Sequence, residues 1–276
     1  MRRVMRIYLI TRHDNPLMWV FLIANKSLVS SFVIMTRVKS FTQLHLSEIP
    51  LEEAHGGTGA RQMLIKPEYL TTPYLEAVTK GFLNVGKMFD WHNHLDTDEI
   101  FIVTQGEGEY HYKLNGEEKL FTYKPDDIVI APANLFHKIV ASGDEQTQGF
   151  FFRIKGHAKP DHEYTFKHFD IANVPFEMVH DIPNSRQTLV TTDSVATDYL
   201  EALTKGTLPA GNVWDWHDHV DTDEVSIVLA GEGTYFIDDV QVPYKQGDVF
   251  VIPANAQHKI VSAKDTEFYF IRVLSK

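Results

Sequence analysis

The chain has 276 residues and no cysteine. Disulfides are excluded, and no metal site can use a thiolate, so any metal must be held by His, Asp or Glu. A cysteine-free chain fits a reducing cytoplasm, the expected location. Basic charge is also scarce: 26 Lys and Arg face 37 Asp and Glu, a net charge of −11. That balance argues against a general nucleic-acid binder, which needs a basic surface for phosphates. A helix-turn-helix region is missing, and no long stretch of the body keeps a 3.6-residue apolar period.

Long hydrophobic runs are absent except near the start. Arg2, Arg3, Arg6 and Arg12 precede an apolar stretch over 17–35. A basic flank before an apolar run resembles a signal or anchor segment. Lys26, Asn25 and the serines are costly at a bilayer centre, and no small-x-small cleavage site follows, so a membrane role is disfavoured. Two other readings stand beside it: Met35 as the natural start, or an extension over 1–40 packed on the body.

What the chain does have is itself, twice. An offset of 125 aligns residues 41–108 with 166–233 without a gap. RQMLI (61–65) meets RQTLV (186–190), and YLEAVTKG (74–81) meets YLEALTKG (199–206). FDWHNHLDTDE (89–99) meets WDWHDHVDTDE (214–224), and DDIVIAPANLFHKIV (126–140) meets GDVFVIPANAQHKIV (247–261). His55 and Arg61 fall on His180 and Arg186. The expected organisation is an extension over 1–40, a first domain over 41–155, a linker over 156–165 and a second domain over 166–276.

Strand signals dominate both copies. EIFIVTQ (99–105), EVSIVLA (224–230) and DVFVIPA (248–254) are short, rich in β-branched and aromatic residues, and bounded by turn residues. Asn115-Gly116 marks a tight hairpin. Many short strands, twice over, predict two small all-β barrels or sandwiches.

The repeated phrase carries the chemistry. On an extended strand, residues i and i+2 share a face, so His92 and His94, and likewise His217 and His219, project together. Glu99 and Glu224 lie five residues on, the wrong parity unless LDTD and VDTD bend the chain. His137 and His258 follow matching Pro-Ala-Asn turns. A lone His-x-His is compatible with packed or surface histidines; four donors at matching places in both copies point to a divalent transition metal. Asp90 and Asp215 share parity with the ligands after them. Each is a candidate for supporting a ligand or moving protons, or else a carboxylate at the barrel mouth bonded to backbone. Asp96, Asp98, Asp221 and Asp223 are expected in turns.

These residues resemble the cupin superfamily, specifically a bicupin. Its first motif reads here as Gly86, His92, His94, Glu99, Gly106 and as Gly211, His217, His219, Glu224, Gly231. The second reads as Asp126, Pro132, Asn134, His137 and as Gly247, Pro253, Asn255, His258. Asp126, Asn134 and Asn255 stand where the family has glycine, and Asn tolerates left-handed backbone. Ala141 and Ser262 stand where the family has a final Asn. The resemblance implies two tandem double-stranded β-helix (jelly-roll) barrels with a metal inside each, and it does not fix a reaction.

Four protein ligands on a six-coordinate ion leave two positions open, whereas tetrahedral zinc is closed by them. Fe or Mn is therefore the expected working metal, with Ni, Zn and Cu admitted by affinity. The walls differ between copies: Phe89, Phe101, Leu135 and Phe136 become Trp214, Ser226, Ala256 and Gln257. The second pocket is expected to be wider and more polar, and the better place for a small polar substrate. Lys80, Lys205, Glu76 and Glu201 are expected at outer faces or between barrels, and Arg61 and Arg186 in structural roles. The functional expectation is a metal-dependent enzyme performing dioxygenase-like oxidation of a small organic acid or carbonyl compound. Hydrolase, isomerase or decarboxylase chemistry, and a non-catalytic binding or storage-like bicupin, are its rivals. A homodimer through sheet faces is in keeping with the resemblance.

Overall fold

Short runs of β-branched and aromatic residues become strands, and Gly, Asn and Asp take the turns between them. The computed structural model describes residues 41–70, 72–156, 166–195 and 197–275. The expected extension 1–40, and all of the expected linker 156–165 except Gly156, lie outside the described residues. Within the described residues the chain forms 22 strands and a few short 3-10 turns, with no α-helix. None of its helical segments is long and apolar enough to cross a membrane.

Each repeat builds a barrel from one seven-stranded and one four-stranded sheet. The smaller sheet of the first barrel runs Met88–His92, His137–Val140, Gly108–Leu114, Glu117–Tyr123. That of the second runs Val213–His217, His258–Ser262, Glu232–Ile237, Val240–Lys245, the same order. In the larger sheets, Thr97–Gln105 lies between Asp127–Ala131 and Thr147–Lys155, and Thr222–Ala230 between Asp248–Ile252 and Thr266–Leu274. The twin jelly-roll architecture expected from the sequence is the one observed. Asn115 and Gly116 take φ of 54° and 81° in the expected hairpin, with Leu114 opposite Glu117. Asp126, Asn134 and Asn255 hold φ of 71°, 68° and 64°, so the turns survive without glycine.

The seven-stranded sheets are buried on both faces, which is why Thr97–Val103 and Thr222–Val228 are buried without alternation. Their inner faces fill the barrels, around Phe101 and Val129 in one and Phe250 and Phe268 in the other. Their outer faces form a shared core in which Ile100, Ile102 and Phe152 cluster with Val225, Ile227 and Ile271. At its edge the matching residues Tyr74 and Tyr199 stack at 3.6 Å and 3°.

The repeats also trade strands. Thr42–His45 pairs antiparallel with the second barrel, Thr42 opposite Val251 and His45 opposite Asp248. Lys167–Asp170 pairs with the first, Lys167 opposite Ile130 and Asp170 opposite Asp127. Each barrel's larger sheet is completed by the opening strand of the other repeat.

Candidate metal centres

The smaller sheet brings the first pair of histidines together, because His92 at the end of one strand is the cross-strand partner of His137 at the start of the next. His217 and His258 are paired in the same way. His94 and His219 lie just past the strand end, where the chain leaves the smaller sheet. Glu99 and Glu224 then sit near the start of the central strand of the larger one. The expected bend is thus the crossing from sheet to sheet. The ligand atoms of His92, His94 and His137 all lie within 4.8 Å of one another, as do those of His217, His219 and His258. Glu99 places Oε2 3.0 Å from His94 Nε2 and Oε1 3.4 Å from His137 Nε2. Glu224 places the same atoms 2.9 Å from His219 and 3.7 Å from His258.

The imidazoles are set for a metal. Nδ1 of His92, His137, His217 and His258 donates to the carbonyl two residues earlier, at 2.7, 2.9, 2.7 and 3.0 Å. A proton on Nδ1 leaves the Nε2 lone pair pointing inward. Burial and the neighbouring histidines His137 and His258 push His92 and His217 down to about 4, so both rings are neutral near pH 7. Burial alone would raise the two carboxyls. Instead the facing His137 and His94 hold Glu99 well below the usual range, and His219, His258 and Arg272 bring Glu224 to about 2. Nε2 of His94, His137, His219 and His258, and Oε1 of Glu224, are buried without a partner in hydrogen-bond geometry. Buried polar atoms rarely go unsatisfied, and a convergent set of imidazoles and a carboxylate is satisfied by one divalent cation. The residues present fit the metal.

Asp90 and Asp215 are not brought into either cavity. A β-bulge sets three steps, Phe89 to His92, against two on the partner strand, Ile139 to His137. The second repeat does the same between Trp214 and His217. The extra residue breaks the period-two pattern. Phe89 and His92 both turn inward, and Asp90 turns to solvent. Its Oδ1 accepts from Trp91 N, and that of Asp215 from Trp216 N, both at 2.8 Å. What these aspartates contribute to the site is a main-chain carbonyl, the one that holds His92 or His217.

The cavities in front of the histidines differ. The second is about 280 Å³ and is lined by His180, Arg186, Glu201, Thr204, Trp214 and Arg272, among others. The first is about 60 Å³. The wider second pocket was expected, but Ser226 does not open it. Its hydroxyl takes the Tyr235 OH at 3.0 Å, and Phe250 and Phe268 fill the space that Phe101 fills in the first barrel. At the mouth of the first cavity, His55 lies flat on Phe89, with ring centroids 4.5 Å apart.

Arg61 and Arg186 line the cavities while bound to Glu52 at 3.4 Å and to Glu177 at 2.6 Å. Lys205 faces Glu267 at 3.2 Å and Lys80 lies near the Phe82 and Phe150 rings, and neither lysine lines either of these two cavities. Arg153 and Arg272 are site residues that motif reading missed. Both end up in a cavity from the last strand of their repeat, where FFFRIK and FYFIRVL share the arginine. Arg272 Nε is 2.9 Å from Glu201 Oε1, and its Nη1 is 3.9 Å from Glu224 Oε2. Arg153 is 3.5 Å from Glu76. His55 and His180 stand 4.7 Å from His92 and 4.8 Å from His217, ring to ring. Their match across the repeat was visible in the sequence, but they lie outside the metal motif.

The cupin domain family model matches residues 82–152 and again 205–274. No curated protein matches the chain in sequence. Among solved structures, the E. coli protein Ylba superposes with a TM-score of 0.67 at 13% identity, over 86% of this chain and 92% of that one. A Trp-to-Tyr variant of Bacillus subtilis oxalate decarboxylase gives 0.65 at 14%, over 85% and 77%. A Lactobacillus farciminis oxalate decarboxylase in complex with formate gives 0.64 at 13%, over 85% and 86%. At such identities the likeness speaks for the fold. With the family model matched once in each barrel and a three-histidine set in both, the chain belongs to the cupin family and is a bicupin.

Proposed function

We propose that this bicupin is a metal-dependent enzyme that converts a small organic acid in its C-terminal cavity. The observation that carries this reading is the second centre itself. There His217, His219 and Glu224 line a cavity of about 280 Å³ with Arg272 on its wall, and His258 completes the histidine set. His92, His94, His137 and Glu99 would hold a second ion in the first barrel. Mn or Fe suits both sets, because four N and O donors leave two positions of an octahedral ion open. Such an ion supplies a Lewis acid beside the substrate.

The surrounding residues have separable tasks. Arg272 places a guanidinium within reach of the cavity and of Glu224, a donor fork suited to a carboxylate. Glu201 accepts from Arg272 Nε and from the Thr222 hydroxyl at 3.1 Å, which fixes the guanidinium's direction. Trp214, Ile260 and Phe270 make the apolar wall that limits water. Asp90 and Asp215 are left without a proton-moving role in this reading.

Two reaction classes fit a small acid at this site. Dioxygenase-like oxidation is the first, with O₂ as co-reactant. Decarboxylation is the second, and the oxalate decarboxylases among the structural neighbours, one with Mn(II) centres, favour it. The test is metal analysis of the purified protein, followed by a screen of small mono- and dicarboxylates with and without oxygen. Oxygen uptake coupled to substrate loss supports oxidation, and CO₂ release without net uptake supports decarboxylation. Metal bound at both centres with no turnover of any acid would return the chain to the binding or storage-like class.

A further inference from the structure

Asp98 and Asp223 were expected in turns, yet they are 0% and 2% exposed and lie on strands beside Glu99 and Glu224. Strand alternation sends the glutamate into the barrel and the aspartate the other way. Asp223 Oδ1 accepts the amide of Ala254 at 2.9 Å, and Asp98 Oδ1 that of Ala133 at 2.9 Å. Those alanines belong to the Pro-Ala-Asn loops that deliver the third histidine.

Each loop is held at two further points. Asn255 N donates to the carbonyl of His219 at 2.9 Å, and Asn134 N to that of His94 at 2.7 Å. The carbonyls of Ala256 and Leu135 accept from the His258 and His137 rings. One loop is thereby tied to the second histidine, to the third histidine and, through the aspartate, to the glutamate strand.

The other oxygen of Asp223 leaves its own repeat. Oδ2 accepts from Thr72 N at 3.0 Å, and the Thr72 hydroxyl accepts from Tyr74 N at 3.1 Å. Tyr74 is the ring stacked on Tyr199. The matching Thr197 makes the same turn, its hydroxyl accepting from Tyr199 N at 3.0 Å. A Cβ on Gly156 would sit 3.7 Å from both Asp98 Oδ1 and Thr197 Cβ, which puts Thr197 of the second repeat beside Asp98.

We propose that Asp223, with Asp98 as its counterpart, is a positioning residue for the metal centre. It locks the loop of His258 to the strand of Glu224 and anchors both to the N-terminal repeat through the Thr72 amide. The inference rests on the metal reading given above. A buried carboxylate accepting two amides fixes its neighbours more firmly than a neutral acceptor, because charge-assisted bonds are shorter and stronger. The geometry of the second centre is therefore set partly by the first repeat.

The test uses the full chain with His92→Ala and His137→Ala, which keeps only the second centre. Mn(II) titration followed by calorimetry and EPR reads its affinity and symmetry. Asp223→Ala is expected to lower Mn(II) affinity roughly 10–100-fold, the usual scale for residues that support metal ligands, and to change the Mn(II) line shape. Asp223→Asn keeps the volume and one acceptor, and falls between; it carries the test if the alanine variant does not fold. In the chain with His217→Ala and His258→Ala, which keeps only the first centre, the same changes leave affinity unaltered. Melting of the metal-free variants separates a structural role. A lower melting temperature with Mn(II) affinity unchanged well below it overturns the proposal, as does equal loss at both centres. A wild-type chain that takes up no metal overturns the metal reading and this inference with it.

Discussion

The two barrels carry the same four donors and the same tethers on their histidines, but face cavities of about 60 and 280 Å³. Each water takes about 30 Å³ of liquid volume, so the first cavity has room for roughly two waters, and the second for a molecule of several heavy atoms. Donor chemistry has been kept in duplicate while the walls diverged. The difference teaches that retained donors mark a candidate metal centre, and that the space in front of it limits what the centre can take.

The largest effect expected from this comparison is a division of activity. His217→Ala or His258→Ala should bring turnover of the small acid to background, while His92→Ala or His137→Ala should leave most of it. Steady-state rates alongside metal counts per chain check this. Equal loss from both pairs would break the division between the barrels.

A second, smaller difference lies in the arginines. Arg272 reaches both Glu201 and Glu224, whereas among the described residues Arg153 is paired with Glu76, at a longer distance. Replacing Arg272 by Met should weaken formate or acetate binding roughly 10–100-fold, the scale of a charge-assisted hydrogen bond. Arg272→Lys keeps the charge and loses the fork, and should recover only part of it. Arg153→Met should leave anion binding unchanged. Anion titrations of the Mn(II)-loaded protein by EPR provide the readout.

A third expectation sharpens the comparison from the other side. His55 sits at φ 50° and covers Phe89 at the mouth of the first cavity. His55→Gly removes the ring and relieves a left-handed backbone, at which a side chain costs about 1 kcal/mol. The variant should fold at least as well as wild type. It should also admit azide or formate to the first Mn(II), seen by EPR in a chain whose second centre is removed. If the first centre stays closed, the core around Phe101 and Phe151, rather than His55, sets its size.

The sequence made the two histidine sets legible because a candidate metal set is a matter of residue type and spacing, and the duplication supplied an internal control. The jelly-roll class and the left-handed turns at Asn134 and Asn255 followed from the same motifs. Side-chain direction was harder to read. A single bulged residue between Phe89 and His92 reversed the parity that had placed Asp90 inside. Asp98 and Asp223 read as turn residues from their DTD context, and their burial became visible only once the Pro-Ala-Asn loops closed on them. Ser226 misled for a related reason: the volume lost at one position was refilled by Phe250 and Phe268 on other strands. Nor does a one-dimensional alignment show that each repeat's first strand completes the other's barrel.

The smallest expected effect asks whether the barrels remain equivalent in their donors. In the metal-free protein, burial lowers both His92 and His217 to about 4, below the value of about 6.5 for an exposed imidazole. The unfolded chain therefore takes up protons first as pH falls. Stability that is fully present above about pH 6.5 is lost progressively down to about pH 4, and below that these two groups add no further slope. His92→Gln and His217→Gln should each flatten the loss by a similar amount, measured by denaturant melts between pH 7 and 4 after chelation. A much larger change from one of them would mean that the two histidine sets differ in burial as well as in the cavities they face.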